Sequence, residues 1–270
     1  MATNGSSNGS AATSNGHNTH NIAPKITLYT NHRCPYAQRA HITLDTLNLP
    51  YDEVLIDLDT PRPQWYLDDI NPRGLVPAIK YSVPGVFDKE EIITESGIVV
   101  QFLCDSFPSP LLPGSKESPF SALKRARIAF FVDTWTSKIA PFQYQIMLAA
   151  PGEEKEGKTT EWLKVIEKEI EPLLADAAPF FGGSGELTLA EVMVAPFLLR
   201  WFALARDGEV VPRGFGEGLE RLPGFERWAR AVVGEEMVRR VWDEEGVVAT
   251  MKKRVRGMAN DQIRVFGELQ

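Results

Sequence analysis

Cysteine is almost missing from this chain: two thiols, Cys34 and Cys104, in 270 residues. Two cannot build the disulfide framework that holds small secreted domains together, and in a reducing compartment a lone thiol is either reactive or simply buried. Long apolar runs are missing as well. None approaches the roughly 18 uninterrupted residues of a spanning helix, and the N-terminus lacks the apolar core of a secretory signal. A cytoplasmic location with no membrane insertion is therefore expected. Basic residues carry no surplus either, since 29 Lys and Arg face 36 Asp and Glu for a net charge of −7. A nucleic-acid footprint needs a concentrated basic surface, so the expected partner is a small molecule. What is present, 43% hydrophobic and 24% charged residues, is the composition of an ordinary globular protein. A chain of this length suits two domains better than one.

Residues 1–23 are mostly Ser, Asn, Thr, Gly and Ala, too poor in large apolar side chains to offset the entropy of ordering, and a disordered tail is expected there. His17 and His20 lie in that tract without thiol or carboxylate neighbours, so no metal is expected. From Lys25 the pattern changes. Ile26-Thr27-Leu28-Tyr29 alternates like a half-buried strand, and residues 36–47 place Ala40, Leu44 and Leu47 at helical spacing. Residues 51–58 read as a second strand and 64–69 as a short helix. Residues 76–81 and 90–93 read as two strands around the Pro84-Gly85 turn, followed by a helix over 96–106. The order βαβ then ββα describes a thioredoxin-like α/β domain over residues 24–106.

Residues 107–117 are too rich in proline for a regular element and are expected to run over the surface as a linker. Apolar spacing of three and four then recurs over 120–139, 159–174, 188–205 and 224–233, which predicts an all-α domain over 118–250 with a C-terminal extension over 251–270. Thr188 and Glu191 form a Thr-x-x-Glu capping box whose role is folding. The charged run that starts at Glu153 opens a helix as a solvated face.

Cys34 sits where strand pattern gives way to helix pattern, followed by Pro35, a residue suited to a first helical turn. A thiol there faces unpaired backbone N–H groups and the positive end of the helix dipole, which favour the thiolate. A buried structural role is the alternative for a free thiol. The position three residues on, which in a dithiol redox site holds a second cysteine, is Ala37. Cys104, between Phe102-Leu103 and the end of its helix, reads as an inert core thiol. His32 and His41 are near Cys34 in sequence, but neither reads as the base of a Cys-His pair.

The segment Cys34-Pro35-Tyr36-Ala37-Gln38-Arg39 resembles the opening of omega- and lambda-type glutathione transferases. Asn71-Pro72-Arg73-Gly74-Leu75-Val76-Pro77-Ala78 is similar to that family's strand-entering segment, Ile93-Thr94-Glu95-Ser96 to its γ-glutamyl site, and residues 187–196 to the capped core helix of its C-terminal domain. These four motifs stand in the family's order over residues 25–245. The resemblance implies a thioredoxin-like domain plus an all-α domain, a homodimer, and glutathione as co-substrate. It makes Cys34 catalytic and makes Tyr36, Arg62, Val76, Pro77, Glu95 and Ser96 glutathione-binding. Val76, before a cis proline, would pair its backbone with the cysteinyl part of glutathione; Ser96 and the adjoining helix N-terminus would take the γ-glutamyl carboxylate and Glu95 its ammonium.

The reaction implied is thiol transfer or reduction through a Cys34–glutathione mixed disulfide on a small electrophilic or disulfide substrate. Reduction of dehydroascorbate, removal of glutathione from a quinone or phenacyl adduct, cleavage of an ether, or a step in a biosynthetic pathway all fall within it. Glutathione conjugation and a non-catalytic binding protein are the alternatives. The chloride intracellular channel proteins share a similar Cys-Pro-aromatic motif, but here Gln38, Arg39, His41, Thr43, Asp45 and Thr46 make the following helix too polar to insert. Trp135, Phe197 and Trp201 either line the second-substrate pocket or pack in the helical core.

Overall fold

A computed structural model describes residues 24–267, with the side chains of residues 87, 88 and 258–267 excepted. The tail expected over residues 1–23, with its two histidines, lies outside the described residues. The N-terminal part is a four-stranded mixed sheet in the order β2-β1-β3-β4, built from β1 (Lys25–Thr30), β2 (Asp52–Leu55), β3 (Ala78–Val83) and β4 (Phe87–Thr94). β1 pairs parallel with β2, across the crossover helix α1 (Pro35–Thr46), and antiparallel with β3, which pairs antiparallel with β4. The short helix α2 (Gln64–Asp69) lies between β2 and β3, and α3 (Ser96–Ser106) follows β4. This is the expected thioredoxin-like domain.

Alternation along β1 explains how the sheet is covered on both faces. Ile26 and Leu28 turn to one side and meet Ala40 and Leu44 of α1 and Val99 and Leu103 of α3. Tyr29 turns to the other side, into a smaller cluster with Ala37, Ile56, Tyr66 and Val76. β2 is shorter than the 51–58 expected, because Asp57 folds the chain back on itself: its carboxylate accepts from the Asp59 N–H at 2.8 Å and the Thr60 hydroxyl at 2.9 Å.

The C-terminal part is helical throughout: α4 (Ser121–Thr134), a π-turn over Trp135–Ile139, α5 (Pro141–Leu148), α6 (Glu153–Glu169), α7 (Leu189–Asp207), α8 (Gly214–Leu219), α9 (Pro223–Gly234), α10 (Glu236–Arg239) and α11 (Glu244–Gly267). α6 begins earlier than its apolar spacing, with Glu153, Glu154 and Glu156 at the positive end of the dipole. α5, α8, α10 and α11 have no counterpart in the sequence reading, and α11 runs on through residue 250. The proline-rich segment also departs from its expected surface course. Leu111 and Leu112 are buried, and the Leu111 carbonyl accepts from the Leu189 N–H at 2.8 Å, so its two leucines anchor the connection in the helical core.

α7 is apolar nearly all round and buried, as such a helix must be. Its capping box forms, and buried Glu191 does more than cap. One carboxylate oxygen accepts from the Thr188 N–H at 2.8 Å, the other from the Phe181 N–H at 2.8 Å and the Trp228 indole at 2.6 Å. One side chain thus ties the start of α7 to the preceding loop and to α9. Among the described residues no helix is long and apolar enough to cross a membrane.

Candidate active site

Where the two halves meet they leave a cleft of about 730 Å³. Cys34, Tyr36, Arg62, Val76, Pro77, Glu95 and Ser96, singled out from the sequence, all line it. Cys34 is the N-cap of α1 in extended conformation, with Pro35 at the first helical position, and its side chain is half-buried. Its Sγ lies 3.8 Å from the Val76 carbonyl oxygen, which accepts from the thiol. Val76–Pro77 is a cis peptide bond. The approach to it is fixed by two donors on the Leu75 carbonyl, the Tyr66 hydroxyl at 2.7 Å and the Asn71 side-chain amide at 2.9 Å.

Glu95 has φ +68°, a left-handed conformation that costs a side-chain-bearing residue energy and that clusters at ligand sites. Its carboxylate reaches Arg73 at 2.6 Å in an exposed pair. Ser96, buried at the start of α3, accepts a hydrogen bond on Oγ from Arg39 at 3.0 Å. The backbone N–H groups of the first turn of α3 have no intrahelical partners, so a positive helix end, a hydroxyl and a carboxylate come together beside the thiol. Arg62 spends its guanidinium on carbonyls: Gly74 at 2.9 Å, Asp57 at 2.7 Å and Thr60 at 2.6 Å. It knits the loop after β2 to the turn at Gly74, where φ is +64° and a Cβ would meet Arg62 Cγ at 3.0 Å.

A family model described as the glutathione S-transferase N-terminal domain matches residues 28–111. Among solved structures, glutathione transferase Omega 2C from Trametes versicolor is 30% identical with a TM-score of 0.69, the alignment covering 86% of this chain and 99% of that one. The chain belongs to the glutathione S-transferase superfamily. Within it the chain is omega/DHAR-like. Glutathione S-transferase DHAR2 of Arabidopsis thaliana is 30% identical over 165 residues, 61% of this chain and 65% of that protein. Pyrimidodiazepine synthase of Drosophila melanogaster is 38% identical over 90 residues, 33% of this chain and 35% of that protein, so the chain spans about a third of that relative's length.

Several residues of this transferase cleft escaped the sequence reading. From the helical side come Gln143, Tyr144 and Met147 on α5, Arg200 on α7, and Met251 and Arg254 on α11. Arg33 and Arg254 share Asp59, at 2.8 and 3.4 Å, which links α11 to the loop after β2. Arg200 was detectable as the one charged residue inside the apolar run 192–205. Arg39 stacks on Tyr36 and Phe197, each ring centre 5.1 Å from the guanidinium. Burial, then the neighbouring Tyr144, raises the Tyr36 hydroxyl above its ordinary value, which leaves it a neutral donor. Trp135 and Trp201 pack in the helical core, Trp201 stacked on Trp162 at 4.3 Å, while Phe197 backs Tyr36 edge-on. None of the three lines the cleft. Cys104 is buried, and burial pushes its thiol up to about 11.

His32, His41 and Glu53, apart in sequence, have ligating atoms within 4.8 Å of one another and are the one such group among the described residues that could hold a metal ion. Their bonds already satisfy them. His32 pairs with Glu53 at 2.5 Å, and buried His41 bonds the Thr30 hydroxyl at 2.8 Å and the Tyr51 hydroxyl at 3.0 Å. Burial, the main cause, pushes His41 down to about 4, so the ring is neutral.

Proposed function

We propose that the protein is a glutathione-dependent thiol transferase, or reductase, acting through a mixed disulfide on Cys34. The observation that carries this reading is the cleft itself, which gathers the thiol of a helix N-cap residue, the Val76–Pro77 backbone and the Glu95–Ser96 helix end on one wall. Glutathione would pair its cysteinyl backbone with Val76, set its γ-glutamyl carboxylate on Ser96 and the α3 N-terminus, and offer its ammonium to Glu95. Pro77 and Arg62 shape the wall, and Tyr36 is a neutral donor at its edge.

The Cys34 thiolate attacks the glutathione sulfur of a disulfide between glutathione and a small molecule. A Cys34–glutathione S–S bond forms, the original S–S bond breaks, and the electron pair leaves on the small molecule's sulfur. Ala37 supplies no resolving thiol, so a second glutathione thiolate attacks, oxidised glutathione departs and the Cys34 thiolate returns. One free glutathione has then been consumed: its sulfur is oxidised to the disulfide level as the small molecule's sulfur is reduced to a thiolate, and the first glutathione, already part of a disulfide, leaves in oxidised glutathione.

The second substrate faces Tyr144, Met147 and Met251, which suits a flat apolar molecule. The Omega 2S structure from Trametes versicolor, 26% identical, is a complex with 2,4-dihydroxybenzophenone. A homodimer belongs to the same reading: Phe120 at the N-cap of α4, Leu123 and Phe130 on it and Ile98 on α3 are exposed apolar side chains that a second copy would cover. The free thiol of Cys34 suits a reducing, cytoplasmic compartment, and neither nucleic acid nor membrane is a partner. Intact mass after incubation with oxidised glutathione tests the central claim. One adduct that survives Cys104→Ser and vanishes in Cys34→Ser supports it; an adduct that persists without Cys34 overturns it.

A further inference from the structure

Two guanidiniums stand behind the thiol and have no carboxylate of their own. Arg200 is 2% exposed and Arg39 6%. Every hydrogen bond that either makes among the described residues goes to a neutral acceptor: Met193 O and Ser96 Oγ for Arg39, and Pro196 O, Gln38 Oε1 and Arg33 O for Arg200. A charge taken this far from water ordinarily has an anion beside it. Burial lowers both groups, but only to about 10, so both remain charged at neutral pH, and in each case an ionised Cys34 sulfur pulls the other way.

The two differ in what they hold. Arg39 is committed to the γ-glutamyl side of the cleft through Ser96. Arg200 grips the thiol's own turn from both sides. Its Nη2 donates to the Arg33 carbonyl at 3.0 Å, one residue before Cys34, and its Nη1 donates to the Gln38 side chain at 2.8 Å. Gln38 in turn donates its backbone N–H to the Cys34 carbonyl at 3.1 Å and its side-chain N–H to Val238 O at 3.0 Å. The Trp242 ring lies 5.1 Å from the guanidinium, stacked with it, and Arg200 borders the same cleft as Cys34.

We propose that Arg200 is the positioning residue of Cys34: it fixes the backbone on both sides of the thiol and supplies the positive charge against which the sulfur carries its negative charge before attack and after release. The proposal rests on the thiol-exchange reading and names a second requirement for it, a cation lent by the helical half. In exchange, the Cys34 sulfur gives up its negative charge on forming the disulfide and regains it when the second glutathione displaces it. A fixed guanidinium favours the free thiolate at both ends of that cycle without forming a bond or moving a proton.

The test is the second-order rate of Cys34 alkylation by iodoacetamide at neutral pH, in the full chain carrying Cys104→Ser. Arg200→Gln and Arg200→Lys are compared, with folding checked by thermal unfolding and S-methylglutathione binding by calorimetry. Arg200→Gln should slow alkylation at least tenfold and lower kcat for disulfide reduction in parallel, with S-methylglutathione affinity unchanged. Arg200→Lys, which keeps the charge, should stay within threefold of the parent. A folded Arg200→Gln protein alkylated at the parent rate overturns the proposal. So does Arg200→Lys slowed tenfold or more, a result that denies the retained charge its part and that decides the matter alone if the glutamine variant does not fold. Alkylation uses no glutathione. Disulfide reduction surviving in Cys34→Ser would therefore remove the thiol-exchange reading while leaving this comparison intact.

Discussion

The two walls of the cleft are built in different ways. The sheet-side wall comes from three short stretches, 34–39, 71–78 and 93–96, each a turn whose own residues dictate its geometry: a proline after an N-cap thiol, a cis proline entering a strand, a left-handed glutamate before a helix. The helix-side wall comes from three helices far apart in sequence, with Gln143, Tyr144 and Met147 on α5, Arg200 on α7 and Met251 and Arg254 on α11, and no one stretch of chain brings them together. One wall binds by backbone and helix termini, which fix an invariant ligand; the other offers side chains, which are free to suit a varied one. The proposed function accordingly assigns chemistry and co-substrate to the first wall, and specificity and support to the second.

The largest effect expected of this division is at Cys34. Cys34→Ser should lower thiol transfer on the order of 10³-fold or more, while the rest of the wall still binds glutathione and the hydroxyl can donate to its sulfur. Assays with a glutathione mixed disulfide and with a chloronitrobenzene, run on the same purified variant, separate the two chemistries. Retained disulfide reduction at the parent rate would move the protein to the conjugating class.

Glu191 carries the corresponding burden for the helical half. Glu191→Ala leaves the Trp228 indole and the Phe181 and Thr188 N–H groups buried without their acceptor. A loss of at least about 3 kcal/mol is expected in denaturant unfolding. A loss under about 1 kcal/mol would mean that α7 is held by packing alone.

The sheet half has its own weak point in acid. His41 ordinarily titrates near 6.5 and is pushed down to about 4, by burial first and then by His32, against the upward pull of Glu53. The unfolded chain therefore takes up a proton between about pH 6.5 and 4 that the folded one refuses. Stability is full above that window and falls as pH drops through it, by up to about 3 kcal/mol. Denaturant midpoints measured from pH 7 to 4.5 read this slope, and it should vanish in His41→Gln. An unchanged slope there assigns the acid sensitivity to other groups.

These differences also explain what could be read from the chain. The capping box at Thr188, the strand alternation of Ile26 and Leu28 and the Cys34 turn are local, and sequence spacing shows them. α5 was hidden because Pro141 reads as a break where it serves as a first helical turn, and α8 because Gly214, Gly216 and Gly218 argue against a helix that packing nonetheless imposes. Arg200 and Gln38 lie 162 residues apart, and no spacing rule spans that distance. Arg33, the thiol's basic neighbour in sequence, is paired with Asp59, whereas Arg39 and Arg200, which have only neutral acceptors, come to the thiol's turn by folding.

On the first wall, Glu95→Ala removes the partner proposed for the glutathione ammonium from a half-exposed position. Solvent screening limits the effect, so glutathione should bind about tenfold more weakly, roughly 1.4 kcal/mol, with stability nearly unchanged. Calorimetry with S-methylglutathione measures it, and an unchanged affinity in a folded variant would remove Glu95 from the γ-glutamyl site.

The smallest expected effect tests the division most directly. Tyr144 is exposed on α5 and borders the cleft opposite the glutathione wall. Removing its ring in Tyr144→Ala forfeits stacking worth about 0.5–1.5 kcal/mol. KM for an aromatic glutathione adduct should therefore rise about two- to tenfold. KM for glutathione itself should stay put, because none of the groups assigned to it lies on α5. Were both constants to rise together, the two walls would be one site and the specificity role of the helical half would be wrong. A rise confined to the aromatic substrate, absent with a small aliphatic disulfide, would show that Tyr144 selects by shape and that the helix-side wall sets what this transferase accepts.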